Sequence, residues 1–211
     1  MDRPLPAESD QRIADLERRR HWVFDLDATL TTPTQDFDVL RRDLGMPAAA
    51  PVLEWIAAQE SHRATQLLEQ VHRWERRHAE RARAAPHALA LLGHLRDLGH
   101  RLGIVTRNSQ PLAMVTLQAC GLSEFFESEE VIGREDAAAK PSPAGIERLL
   151  TRWAARPEDA VMVGDYRFDL EAARAAGVVA VWLDSERSGR FSSLADVTVH
   201  HLAALMTSWR S

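Results

Sequence analysis

The chain has little of three things: one cysteine, one tyrosine, and no long apolar run in 211 residues. A lone thiol, Cys120, cannot form an intrachain disulfide, so the fold must hold without that staple. It lies in LQACGL, a helical stretch, and is read as a buried, inert thiol. Such cysteine usage fits a reducing compartment, and a cytoplasmic location is expected. No uninterrupted apolar stretch approaches the roughly 18 residues that a membrane span needs, so no membrane partner is expected. MDRPLPAESDQRIADLERRR at the start has no apolar h-region, so no secretory signal is read. Basic charge is not in excess either. Lys and Arg number 26 against 31 Asp and Glu, a net charge of -5. That balance carries no footprint for nucleic acid. His62, His72, His78, His87 and His94 have no zinc-like spacing and no neighbouring Cys, and are read as surface or interhelical.

Hydrophobic residues make up 45% of the chain and charged residues 27%, a soluble globular composition. The length suits one domain with an insertion, or two small domains. Residues 1–20 read as a disordered lead-in, to residue 9, and then a short helix with Ile13 and Leu16 on its apolar stripe. Trp22–Leu26 reads as a fully buried strand, followed by the Thr/Pro-rich turn TLTTPTQ. Residues 36–84 carry Leu40, Leu44, Val52, Ile56, Leu67, Leu68, Val71 and Trp74 at helical spacing among many charges. Pro47 and Pro51 divide that region into at least two helices, read as a small helical insertion. Its arginines Arg73, Arg76, Arg77, Arg81 and Arg83 read as a solvated face, and Trp55 and Trp74 as helix core.

Strand and helix patterns then alternate. HALALLGHLRDLG, QPLAMVTLQACGL, SPAGIERLLTRW and RFDLEAARAAG read as helices. RLGIV, DAVMVG and VVAVWL read as strands, with a short strand or two in FFESEEVIG. ADVTVHHLAALMTSW reads as a last strand and helix. In SPAGIERLLTRW, Ser142 is expected as the N-cap and Pro143 as the first helical residue. This alternation implies an α/β doubly wound parallel sheet. Such sheets bind ligands at the carboxyl ends of their strands.

Those strand ends carry the polar groups. The first ends in Asp25-Leu26-Asp27, although Asp is depleted in strands. The second ends in Thr106-Arg107-Asn108. Lys140-Pro141 precedes a helix, and a later strand ends in Gly164-Asp165, with Asp169 four residues on. Converging carboxylates repel, and a hard divalent cation such as Mg²⁺ relieves that repulsion. Lys140 would balance further negative charge, and the Thr106 hydroxyl would donate to a phosphate oxygen. A carboxylate can serve as nucleophile in phosphoryl transfer, while a second one works as acid and base. Arg107 suits either an anion or a carboxylate of the helical insertion. Asn108 is either a substrate-side amide or a helix cap. Asp165 has a helix N-cap as its bland alternative, and Asp169 a first-turn acid favoured by the helix dipole.

DLD followed by Thr29, then Thr106, Lys140-Pro141 and GDYRFD, in that order, resemble the haloacid dehalogenase superfamily. The resemblance implies a Rossmann-like core (residues 21–35 and 85–211) with a small α-helical cap (36–84) inserted after the first motif. It implies Asp25 as nucleophile and Asp27 as general acid/base, with the Asp27 carbonyl on Mg²⁺. It implies Thr106 and Lys140 as phosphate binders and catalytic groups, with Thr29, Arg107 and Asn108 also on the substrate side. Asp25, Asp27 and Asp165 would hold the metal, with Asp169 supporting it or Lys140. The acid at Asp27 separates this chain from the family's dehalogenases and points to phosphate esters. The implied activity is a phosphatase of a small phosphorylated metabolite, phosphoglycolate-phosphatase-like, acting as monomer or homodimer. A β-phosphoglucomutase-like transferase and a silent binding protein are the alternatives. Ala28 departs from the family pattern, which has Gly there. If the turn needs positive φ, the methyl costs on the order of 1 kcal/mol.

Overall fold

The computed structural model describes residues 12, 13, 15, 16, 18–32, 37–48 and 50–209. The expected lead-in 1–9 and the turn residues 33–35 lie outside that set. Leu16 of the expected first helix is buried against the core.

Among the described residues, one wholly parallel sheet contains β1 His21–Phe24, β2 Arg101–Val105, β3 Val131–Ile132, β4 Ala160–Gly164, β5 Val179–Leu183 and β6 Val197–Val199. Its order is β3-β2-β1-β4-β5-β6. The helices are α1 Phe37–Asp43, α2 Val52–Ala57, α3 Ser61–Ala79, α4 Ala88–Asp97, α5 Gln110–Ala119, α6 Ala144–Trp153 and α7 Arg167–Ala176. The α/β architecture matches the sequence reading. Two details differ. The last segment, Leu202–Trp209, is a 3₁₀ helix. And α6 starts at Ala144, so Pro143 flanks the helix and Ser142 Oγ accepts the Ala144 N–H at 3.3 Å.

Strand side chains alternate between the two faces of the sheet, so one strand feeds two cores. Trp22 and Phe24 join Leu102, Ile104, Val161 and Val163 in the layer that packs on Leu91, Leu95 and Leu117. Val23, Val105 and Met162 point the other way, toward Ile146, Leu149 and Leu170. Both faces of the central strands are thus buried, which is why they read as continuous apolar runs. No helix among the described residues is long and apolar enough to cross a membrane.

Helices α1 to α3, between β1 and β2, bury an apolar cluster of their own, including Leu40, Leu44, Ile56, Leu67, Val71 and Trp74. His78 lies against Trp74, ring centroids 4.0 Å apart, and its Nδ1 is 2.8 Å from the Trp74 carbonyl. The chain enters and leaves this helical unit side by side. Thr31 and Ala84 form an antiparallel bridge. The Thr32 N–H donates to the Arg83 carbonyl at 2.9 Å, and the Ala85 N–H to the Leu30 carbonyl at 2.8 Å.

Directly after β1 the chain turns through Ala28, whose φ is +61°. Its N–H donates to Thr31 Oγ1 at 3.3 Å, and that hydroxyl in turn donates to the Leu26 carbonyl at 3.3 Å. Left-handed backbone brings Cβ close to the following carbonyl oxygen in any residue but glycine. We therefore expect Ala28→Gly to stabilise the fold by about 0.5–1 kcal/mol, after the larger unfolded-state entropy of Gly is offset. Urea denaturation measures it, and turnover in the same variant is expected to be equal or higher.

Candidate active site

The strand order reverses between β1 and β4, the place where doubly wound sheets open a crevice. The Asp25 N–H donates to the Val163 carbonyl at 2.9 Å, extending the β1–β4 ladder one residue beyond β1. Asp25 and Asp165 therefore come off adjacent strands at the same edge. Lys140 arrives from the loop before α6, through a cis Lys140–Pro141 bond. Its Nζ lies 2.5 Å from Asp25 Oδ1 and 2.6 Å from Asp169 Oδ1. All three side chains are nearly withdrawn from water.

Each acid is held by local structure. Asp169 Oδ2 accepts the Tyr166 N–H at 3.0 Å, which ties the acid to the start of α7. Gly164 ends β4 because a Cβ there would overlap the Asp169 carboxyl group. Asp165 accepts the Thr29 hydroxyl at 3.3 Å, and the Asp165 carbonyl takes the Trp182 indole N–H at 3.0 Å. Oxygens of Asp25, Asp165 and Asp169 all lie within 4.8 Å of one another.

The electrostatics follow from this crowding. Burial pushes Asp25 well above the usual carboxylate range; Lys140 pulls it back, and Asp169, Asp165 and Asp27 push it up again. Burial and then the Asp169 charge push Asp165 up to about 7, against the pull of Lys140. Burial on its own would lower the Lys140 pKa, but Asp169 and Asp25 outweigh it, and the ammonium is held charged. One Lys is thus set against three clustered carboxylates. This donor set of close oxygens with surplus negative charge fits a hard divalent cation such as Mg²⁺.

The cluster lines a cleft of about 840 Å³ whose other lining residues come from both the core and the helical unit. Asp27, Thr106 and Asn108 line it as well. Thr106 Oγ1 accepts the Asn108 N–H at 3.0 Å, and Asn108 Oδ1 accepts the Ser109 N–H at 2.8 Å. It is Ser109, not Asn108, that caps α5, through the Leu112 N–H at 3.4 Å.

Two expected substrate-side residues have protein partners of their own. Thr29 is wholly buried and outside the cleft lining, because its hydroxyl is directed at Asp165. Arg107 reaches across to the helical unit. Its Nη2 lies 2.7 Å from Glu54 Oε1, and its guanidinium covers the Phe168 ring at 4.9 Å. Its guanidinium thus pairs with a carboxylate of the insertion while the residue also lines the cleft. Cys120 is half-buried; burial and the Asp27 charge push its thiol up to about 11, which keeps it protonated and inert.

Sequence reasoning missed Arg134 and Glu75. Arg134, in the loop after β3, binds Glu75 of α3 with both terminal nitrogens, at 2.8 and 3.2 Å. Its Nε bonds Glu135 at 3.2 Å. Both Arg134 and Glu75 line the cleft. One signal was available: Glu75 stands four residues after Val71, hence on the inward face of α3.

Known proteins share this fold and part of this sequence. The family model described as "Haloacid dehalogenase-like hydrolase" matches residues 38–183, from α1 to the end of β5. A phosphoglycolate phosphatase of Salmonella paratyphi A is 32% identical over 189 residues, covering 85% of this chain and 69% of that protein. A hydrolase from Pseudomonas syringae superposes with a TM-score of 0.76 at 21% identity, over 90% of this chain and 98% of that one. A haloacid dehalogenase-like family hydrolase from Streptococcus pneumoniae gives 0.73 at 19% identity, over 92% and 100%. By the family match and the curated relative together, with the strand order and the crevice at the β1/β4 reversal in agreement, this chain belongs to the haloacid dehalogenase-like hydrolases.

Proposed function

We propose that the chain is a Mg²⁺-dependent phosphatase of small phosphorylated metabolites, of the phosphoglycolate or sugar-phosphate type. The observation that carries this reading is Lys140 clamped between Asp25 and Asp169, with Asp165 beside them, at the head of a large cleft. The curated relative's name, phosphoglycolate phosphatase, supports the same class of substrate.

Asp25 is the nucleophile. Lys140 holds its Oδ1, which fixes the carboxylate and leaves the second oxygen to attack phosphorus. Asp27 protonates the departing alcohol oxygen, then deprotonates the water that breaks the aspartyl-phosphate. Lys140 and the Thr106 hydroxyl bind phosphate oxygens. Asp25, Asp165 and the Asp27 carbonyl would hold Mg²⁺, with Asp169 keeping Lys140 in place. Bound there, Mg²⁺ would offset the carboxylate repulsion and stabilise charge developing on the phosphoryl oxygens. Thr29 steadies Asp165 from behind. The helical unit acts as a lid that excludes bulk water and contacts the leaving group, with the paired strands around Thr31 and Ala84 as its root.

Asp25→Asn keeps the side-chain shape and is expected to cut phosphate release from an aryl phosphate by at least about a thousandfold, as loss of a nucleophile does elsewhere. Its melting curve should remain a single cooperative transition; retained Mg²⁺-dependent turnover would sink the nucleophile assignment. Metal binding has its own readout. Mg²⁺ at about a hundred times its dissociation constant should stabilise the protein by roughly 2.7 kcal/mol. Differential scanning fluorimetry should show that rise in Tm for the native chain and a smaller one for Asp165→Asn.

A further inference from the structure

The charges that line the cleft fall into two sets. Asp25, Asp165 and Asp169 cluster about the single ammonium of Lys140, with Asp27 also in the lining. Among the described residues, three guanidinium groups line the cleft as well, and each comes with its own carboxylate. Arg41 bonds Asp38 at 2.9 Å and spends its Nε on the Ala50 carbonyl at 3.0 Å. Arg107 bonds Glu54 and covers Phe168. Arg134 is the most committed, with Nη1 and Nη2 on Glu75 and Nε on Glu135.

Exposure ranks these pairs. Asp38 is 81% exposed and Glu54 59%, so water screens both pairs and they part easily. Arg134 and Glu75 are only 11% and 13% exposed. Their bidentate pairing is charge-assisted and desolvated, and breaking it would strand a buried charge. A carboxylate on the leaving group would have to share Arg134 with Glu75, like charge beside like charge, in a poorly hydrated place. An uncharged alcohol meets no such penalty. Leu40, Val52 and Val71 of the helical unit supply apolar wall beside it. The volume is of the range that holds ligands well above two carbons in size.

We infer that this enzyme selects phosphate monoesters of uncharged alcohols, of the polyol or sugar class, and that Glu75, by occupying Arg134, is the residue that rejects carboxylated leaving groups. This deepens the phosphatase reading above and rests on it. Of the two substrate types named there, the sugar-phosphate type is the one that compensated guanidinium groups in the cleft lining fit.

The test compares kcat/KM for two esters of matched size, 2-hydroxyethyl phosphate and 2-phosphoglycolate, with an aryl phosphate as reference. The native chain should favour the uncharged ester by about tenfold, the scale of one lost charge-assisted hydrogen bond. Glu75→Gln keeps the side-chain volume while removing the competing charge. It should shift the ratio toward 2-phosphoglycolate by about tenfold, chiefly through KM. Glu54→Gln, at the exposed pair, should move the ratio much less. A native preference for 2-phosphoglycolate overturns the inference, and so does an unchanged ratio in folded Glu75→Gln. If that variant fails to fold, the native ratio alone decides. Absence of phosphate release from all three esters would instead overturn the phosphatase reading beneath it, a result distinct from a ratio that favours the acid.

Discussion

One ammonium between two carboxylates, out of water, is the constraint around which the inner site is organised. Lys140 cannot be buried alone, because an isolated charge in that surrounding is far too costly. Asp25 and Asp169 make its burial tolerable, and it makes theirs tolerable in return. The consequences run outward. Asp169 must lie close against β4, so the strand has to end in glycine at Gly164. The same carboxylate takes the Tyr166 N–H and so sets where α7 begins. Asp25 must leave β1 at a height where the loop before α6 can reach it. Three elements distant in sequence are registered against one another by a single side chain.

That network still leaves charge uncompensated. Asp165 joins the cluster from the neighbouring strand, held by Thr29, and burial together with Asp169 raises its pKa to about 7. A folded protein keeps such a repulsive arrangement when a ligand of opposite sign makes use of it. The sheet topology explains why the acids meet at all. A strand order that reverses between β1 and β4 brings two strand ends together with no helix crossing over them. Other charges in the cleft lining are arranged differently, in balanced pairs that join the helical unit to the core. Unbalanced charge in one set and compensated charge in the other suit an ester with an anionic head and a neutral remainder.

Much of this was legible in the chain itself. Apolar runs ending in Asp or Thr marked strands buried on both faces and located their functional ends. The alternation of strands and helices implied parallel pairing, and the parallel sheet follows it. Asp25 and Asp165 stand out because acids at the ends of apolar strands defy ordinary strand preferences, and Lys140 and Asp169 stand out through the motifs that carry the family resemblance. The tight turn at Ala28 was legible as a question, and its φ of +61° is the answer.

Other residues were illegible for a physical reason: their meaning depends on a partner that is remote in sequence. The Thr29 hydroxyl is directed at Asp165, 136 residues away. Arg107 pairs with Glu54 on α2, 53 residues away. Glu75 shares the inward face of α3 with Val71, but Arg134 sits in a charged stretch with no local sign of its partner. They matter because the helical unit folds down over the loop after β3 and takes both out of water. The sequence by itself thus determined the sheet, its buried strands and the acids at their ends, since these follow from local period and residue type. Tertiary structure alone decided which charges are neutralised and which remain to meet a ligand, since charge pairing in a cleft depends on distances that no local pattern encodes.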